Sequence, residues 1–195
     1  MPKFSRQEKE LIQKKLEAEG ERLFTSLGLK KVTIDNLVGA VGIAKASFYS
    51  FYVSKEYLYM DIVQNIQRRI FAEAESILGQ SQGLHSKERV RRVFHGMSQS
   101  MMSYPVLQQI NTQTIEYLER KVSKERLADF QKHNIDAAHI MSDHGIKFTC
   151  DVEIASLAFQ ALYFCWISLQ NQSAETQKQI VEIMLDGVIE RIVAG

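Results

Sequence analysis

At 195 residues the chain is long enough to bury a sizeable core and fits one or two domains. Its 45% hydrophobic and 24% charged residues exclude a disordered chain, and only two prolines and ten glycines favour long helices. The net charge of +1 averages unlike parts: residues 1–60 carry ten Lys/Arg against seven Asp/Glu, a balance of +3, and residues 61–195 carry fourteen against sixteen. This modest asymmetry agrees with a nucleic-acid-binding head.

The first segment, MPKFSRQEKELIQKK, alternates charge and lacks the apolar core of a signal peptide. The uncharged run from Ile154 to Ala174 is interrupted by Ser156, Gln160 and Ser168. Its apolar part stops near Leu169, short of the ~20 residues that span a bilayer. The expectation is a cytoplasmic protein with no membrane partner. Cys150 and Cys165 match no zinc or redox spacing and are expected to be free thiols.

Ser5 with Glu8 forms a capping box, and Leu11, Ile12, Leu16, Leu23, Phe24 and Leu27 follow at helical spacing until Gly28. Thr33 starts a second helix, with Asp35 near its positive end and Ile34, Leu37, Val38 and Val41 on its apolar side. Gly42 stops it, because a helix end commonly takes the left-handed backbone that glycine tolerates. A third short helix carries Ile43, Phe48 and Phe51, and Ser54 caps a fourth that runs to about Leu78, with Leu58, Ile62, Ile66 and Ile70 four apart. At 1.5 Å per residue the fourth helix reaches about 37 Å, enough to join head and body mechanically. After the break at Gly79 to Gly83, Ser86 starts a fifth helix with Val90, Val93, Phe94, Met97 and Met101 on one face. Pro105 marks its end and the start of a sixth, through Ile110 and Tyr117. Ser123 to Gly145, Asp151 to Leu169 and Ser173 to Val193 supply three more. The fold class expected is all-α, with about nine helices.

A short helix, a glycine turn and a second short helix form a helix-turn-helix, whose second member enters the major groove of DNA. With Ile43 and Phe48 turned inward, Lys45, Ala46, Ser47, Tyr49 and Ser50 face outward. Lysine, hydroxyls and a phenol suit phosphate oxygens and base edges, and alanine can meet a thymine methyl. Thr33, Ser54 and Lys55 complete the DNA-binding set. Ser54 and Lys55 are expected to hold a backbone phosphate at the start of the fourth helix. Any one of these residues, taken alone, is better read as an ordinary solvated polar position.

Phe24, Gly28, Thr33, Leu37, Gly42-Ile43, Lys45, Phe48-Tyr49, Tyr52, Lys55 and Leu58 together resemble the signature of tetracycline-repressor-type (TetR) regulators, over about a quarter of the chain. The family pattern usually has serine where this chain has Ala44 and alanine where it has Val38, so the recognition helix lacks its side-chain cap. The resemblance implies an all-helical homodimer with a DNA-binding head, here residues 1–54. It also implies an effector-binding and dimerisation domain, here residues 55–195. Two recognition helices would then read a palindromic double-stranded operator, and a small hydrophobic ligand would release it.

The last two predicted helices carry more apolar surface than one core needs, which points to a two-fold partner. Leu157, Ala161, Phe164, Val181, Leu185, Val188 and Ile192 are the expected dimer interface. Met97, Met101, Tyr104, Thr114, Tyr117, Phe130, Phe159, Tyr163 and Trp166 are the expected effector pocket, although such residues more often simply fill cores. Asp136, His139 and Asp143 share a helix face that could present three ligands to a metal; a solvated charged face explains them equally well, helical spacing alone does not converge three ligands on one point, and no metal or cofactor is expected. The chain reads as a non-enzyme. The alternatives are a helical DNA-binding dimer without a ligand switch and, less favoured, a helical metal-dependent enzyme.

Overall fold

A computed structural model describes residues 4–132, 137–169 and 171–195. The described chain is all-α: ten helices, with one isolated antiparallel bridge between Phe148 and Val193 in place of any sheet. By its internal packing it divides into two compact units, Met1–Ile66 with Tyr104–His133, and Gln67–Ser103 with Asn134–Gly195. This division does not follow the boundary expected after residue 54. The first part of α4 and the stretch from Tyr104 group with the head.

The first unit contains α1 (Arg6–Leu27), α2 (Ile34–Val41), α3 (Lys45–Phe48), the start of α4 (Lys55–Gln80), α6 (Thr112–Glu119) and α7 (Lys124–Lys132). The capping box at the start of α1 is present: the Glu8 amide donates to Ser5 Oγ at 3.2 Å and the Ser5 amide to Glu8 Oε2 at 2.7 Å. A second box opens α2, where Thr33 accepts from the Asn36 amide at 3.1 Å and the Thr33 amide donates to Asn36 Oδ1 at 2.9 Å. Eight and four residues are too few for α2 and α3 to persist alone. They are held instead by burial of Leu37, Val38 and Phe48 against a core that includes Leu16, Phe24, Leu58, Tyr59 and Ile62. Each such side chain contributes about 1.5–3 kcal/mol when fully removed from water. Phe24 and Tyr59 meet edge to face at 5.3 Å. Glu17 on α1 accepts from Tyr52 Oη at 3.1 Å and Asn65 Nδ2 at 3.2 Å, tying the start and the middle of the unit together.

Between Met102 and Thr112 the sequence predicts a helix beginning at Pro105. The chain instead makes a single 3-10 turn at Leu107–Gln109 before α6. Asn111 is the reason α6 starts where it does, since its side chain accepts from the Thr114 amide at 3.0 Å.

The second unit holds the rest of α4 with α5 (Ser86–Met102), α8 (Ala137–Asp143), α9 (Val152–Ser168) and α10 (Ala174–Ile192). Of the expected helix from Ser123 to Gly145, the described residues are helical over Lys124–Lys132 (α7), in the first unit, and over Ala137–Asp143 (α8), in the second. Within this unit α8 packs on α9, α9 on α10, and α10 on α5. Salt bridges stitch α10 to α5: Lys87 to Glu190 at 2.6 Å, Arg91 to Glu182 at 3.3 Å, and Arg91 also to Asp186. Arg89 is buried and donates to the carbonyls of Leu78 at 3.4 Å and His144 at 3.1 Å. No described helix is long and apolar enough to cross a membrane.

At the joint between α2 and α3, Gly42 has φ +77° and ψ +36°, and its amide donates to the Val38 carbonyl at 2.8 Å. A Cβ there would touch nothing, so the cost of substitution is conformational alone. Gly42→Ala should therefore lower unfolding free energy by about 1–2 kcal/mol and Gly42→Asn by less, read from urea midpoints. Two residues on, Ala44 occupies the N-cap position of α3 with extended backbone and no side-chain bond. Ala44→Ser should raise the same midpoint, through a gain of about 1 kcal/mol in unfolding free energy.

Candidate nucleic-acid interface

The polar residues singled out on the helix-turn-helix lie on its outside. Lys45, Ala46, Tyr49 and Ser50 are exposed, Ser47 is half-buried, and Phe48 is fully buried beneath them. Phe48 meets Tyr49 edge-on at 5.7 Å and Tyr52 at 6.0 Å, so the exposed Tyr49 ring stands on a buried aromatic base. Ser50 Oγ donates to the Ser47 carbonyl at 2.6 Å, closing the turn that follows α3. The α-helix itself covers only Lys45–Phe48, so Tyr49 and Ser50 extend the face from that turn.

Lys45 does not wave freely in solvent. Its Nζ lies 2.9 Å from Asp35 Oδ2, joining α3 to the first turn of α2. The hydrogen bond and charge of Asp35 raise the Lys45 ammonium above its ordinary value. Both side chains are more than half exposed, so water competes with the pair and it fixes orientation more than stability. Thr33 is spent in its capping box, its hydroxyl also donating to Asn36 Oδ1 at 2.8 Å.

The start of α4 differs from expectation, and the reason is Glu56. Ser54 Oγ accepts from the Glu56 amide at 3.2 Å, as a cap should, but it also donates to Glu56 Oε2 at 2.6 Å. The chain's own carboxylate thus sits where a phosphate was expected. Burial alone would push the Glu56 carboxyl up; hydrogen bonds from Ser54 and Tyr117, with the Lys55 charge, outweigh it and hold the group below its usual range. Lys55 is turned inward as well: its Nζ is 2.8, 3.1 and 2.6 Å from the carbonyls of Leu29, Lys30 and Val32. An ammonium has three N–H donors, and these three acceptors occupy them. Burial lowers the Lys55 ammonium from its ordinary value. Its place in this arrangement is to hold the loop before α2, and a direct phosphate contact would cost it one of those bonds.

Two features of this surface escaped the sequence. Val53, four residues after Tyr49, is an apolar side chain left 72% exposed. Only its place between the buried Tyr52 and the capping Ser54 hinted at this. Glu56 gave no signal, because an acidic residue in the first turn of a helix is commonplace.

The other expected sites distribute as follows. Of the effector set, Tyr104, Thr114, Tyr117 and Phe130 lie in the first unit, and Met97, Met101, Phe159, Tyr163 and Trp166 in the second. Met97, Met101, Phe130 and Phe159 are buried core. Tyr117 Oη donates to Glu56 Oε1 at 2.7 Å, Thr114 Oγ1 donates to the Gln109 carbonyl at 2.8 Å, and Trp166 stacks on Phe94 at 6.5 Å. The second unit has a cleft of ≈ 380 Å³ lined by Ile77, Gln80, Ser81, Glu88, Arg91, Arg92 and His95. None of the nine lines it, and it is walled by ion pairs, Arg92 with Glu88 at 3.0 Å and Arg91 with Glu182.

For the dimer set, Leu157, Ala161 and Phe164 are exposed on α9. Val181 and Leu185 on α10 are buried within their own unit, where a second chain cannot reach them, and Val188 and Ile192 are half-buried. The stripe read as an interface is the one α10 turns to its own core. Its exposed apolar residues are Ile183, 72% exposed, and Met184, whose sulfur lies 3.4 Å from Cys165 Sγ. Both cysteines are free. Of the acidic and histidine trio, Asp136 lies outside the described residues, and His139 and Asp143 are exposed.

No protein-family model and no curated protein matches the chain. Solved structures do. A TetR family transcription regulator from Marinobacter aquaeolei VT8 superposes with a TM-score of 0.66 at 17% identity, over 98% of this chain and 100% of that one. The fatty acid degradation regulator FadR from Bacillus halodurans reaches 0.67 at 11% identity, over 96% of each chain. The ketosteroid transcriptional regulator KstR2 of Mycobacterium tuberculosis reaches 0.58 at 16%, over 94% and 95%. From its capped first helix to α10, this chain has the fold of the TetR-type transcriptional regulators.

Proposed function

We propose that the protein is a sequence-specific DNA-binding transcriptional regulator that works as a homodimer. The observation that carries this reading is the outer face of the helix-turn-helix. Lys45, Ala46, Ser47, Tyr49 and Ser50 form a small, donor-rich surface around a rigid aromatic base, flanked by Val53. Lys45 is the base reader, released from Asp35 by a guanine edge that offers two acceptors, and Tyr49 contacts a phosphate. The fold shared with transcriptional regulators supports the same reading.

The partner surface is the exposed apolar strip of α9 and α10. Ile154, Leu157, Ala161 and Phe164 on α9 and Ile183 and Met184 on α10 are exposed in the single chain, and a contiguous apolar strip is what a two-fold contact covers. Dimerisation supplies the second recognition helix.

A small hydrophobic ligand that binds the second unit and lowers DNA affinity completes the proposal. The apolar chemistry of fatty acids and steroids, named for two of the similar structures, makes such molecules the first probes. By reciprocity, operator duplex weakens ligand binding by the same factor that the ligand weakens DNA binding. A regulator without a ligand switch is the second reading. It is favoured by the paired charges that wall the described cleft.

Selection of bound duplexes from a random pool tests the function directly. A palindrome with half-sites about 34–36 Å apart, or a multiple of that, is the expected product. Failure to enrich any sequence would leave the fold without this function. On the selected duplex, Lys45→Ala should relax preference at one base position per half-site by about 1–3 kcal/mol. A uniform loss across all sequences would instead place Lys45 on a phosphate.

For the dimer, Leu157→Glu and Ile183→Glu should each halve the mass seen in sedimentation, because a charge in an apolar contact is left unpaired. If both stay dimeric, the contact lies elsewhere.

A further inference from the structure

Residues far along the chain make polar contacts at both ends of the loop that precedes α2 and at the start of α4, where one buried carboxylate gathers two hydroxyls. Glu56, only 6% exposed, accepts from Tyr117 Oη on α6 at 2.7 Å and from Ser54 Oγ at the cap of α4 at 2.6 Å. The adjacent Lys55 reaches back to the carbonyls of Leu29, Lys30 and Val32, the last residues before the Thr33 cap of α2. Both lysine ammonium groups of this cluster lie against the Tyr117 ring, Lys30 at 5.9 Å and Lys55 at 6.0 Å from its centroid. The other end of the same loop is held from the same segment: Gln109 Nε2 donates to the Thr25 carbonyl in the last turn of α1 at 2.6 Å. All of these residues belong to the first unit.

We infer that Tyr117 and Gln109, outside the helix-turn-helix, are positioning residues for DNA binding that fix the loop between α1 and α2 and thereby the angle of the recognition face. The loop spans Gly28 to Thr33 and has a single hydrogen-bonded turn of its own, the amides of Lys31 and Val32 donating to the Gly28 carbonyl at 3.2 and 3.3 Å. Its carbonyls are satisfied by a lysine from one direction, and the carbonyl that precedes it by a glutamine from another. Removing one hydroxyl from Tyr117 leaves the buried Glu56 one donor short, and a buried charged acceptor loses most when a partner is taken away. The DNA-binding part of this inference rests on the proposed function; the anchoring part stands without it.

Tyr117→Phe keeps the ring and its contact with the two ammonium groups and deletes only the donor; Gln109→Ala removes the second anchor independently. In full-length protein, amide hydrogen exchange at residues 28–33 and 54–58 should quicken in both variants. Affinity for the duplex that the wild-type protein selects should fall about tenfold for Tyr117→Phe at a temperature well below melting, the scale of one hydrogen bond to a charged group. Glu56→Gln tests the route: if Tyr117 acts through Glu56, the two substitutions together cost less than their separate losses combined. Wild-type affinity in both anchor variants, or fully additive losses with Glu56→Gln, would overturn the inference. If the wild-type protein selects no duplex, the proposed function falls and hydrogen exchange alone decides the anchoring: unchanged rates at 28–33 in both variants would overturn it.

Discussion

A helix-turn-helix built from helices of eight and four residues cannot hold its own geometry, and the first unit is arranged around that constraint. Apolar burial of Leu37, Val38 and Phe48 sets where the pair sits, but burial is not directional. Direction comes from polar contacts of fixed length. The Thr33 box sets the start of α2, the left-handed Gly42 sets the angle to α3, and Asp35 to Lys45 spans the two. Glu56 sits below these, taking the hydroxyls of Ser54 and Tyr117. Because its carboxyl is held below the usual range, its ionised form is the one that folding favours. That contribution is complete above the unfolded carboxylate value and is lost as pH falls through the lowered one.

In the second unit a charge also does the directional work, by a different route. Arg89 is 8% exposed, and among the described residues it has no carboxylate within ion-pair distance. Its guanidinium instead meets the Leu78 carbonyl in the last turn of α4 and the His144 carbonyl just past α8. Helix C-termini carry partial negative charge, so two of them together offset a buried cation. The arginine thereby joins the ends of two helices that are distant in sequence. Gly96 on α5 tightens the same unit, since a Cβ there would lie 2.3 Å from Ile77 Cδ1 on α4.

Much of the fold was legible because local signals agreed with one another. The box at Ser5, the helix start at Thr33, the stops at Gly28 and Gly42, and the uncapped Ala44 are all read from neighbours within four residues, and each is present; the box that Asn36 completes at Thr33 is added by the structure. The exposed face of α3 followed from the inward Phe48, while Ile43, also expected inward, is half-buried and precedes the helix. What was not legible depends on residues far apart. Lys55 looks outward on the sequence and is drawn in by three carbonyls of a loop more than twenty residues earlier. Tyr117 looks like a pocket aromatic and is a donor to Glu56. On α10 the apolar pattern runs around the helix, and periodicity could not say that Val181, Leu185 and Ile189 face inward while Ile183 and Met184 stay outside.

The proposed function requires that DNA be held by one small surface on a prebuilt helix-turn-helix. Hydrogen exchange of the full-length protein, with and without saturating selected duplex, tests it residue by residue. The account predicts slowed exchange concentrated at residues 33–36 and 44–53 in the first unit. Protection that leaves those residues unchanged and falls instead on the arginine-lined cleft around Arg91 and Arg92 would contradict it.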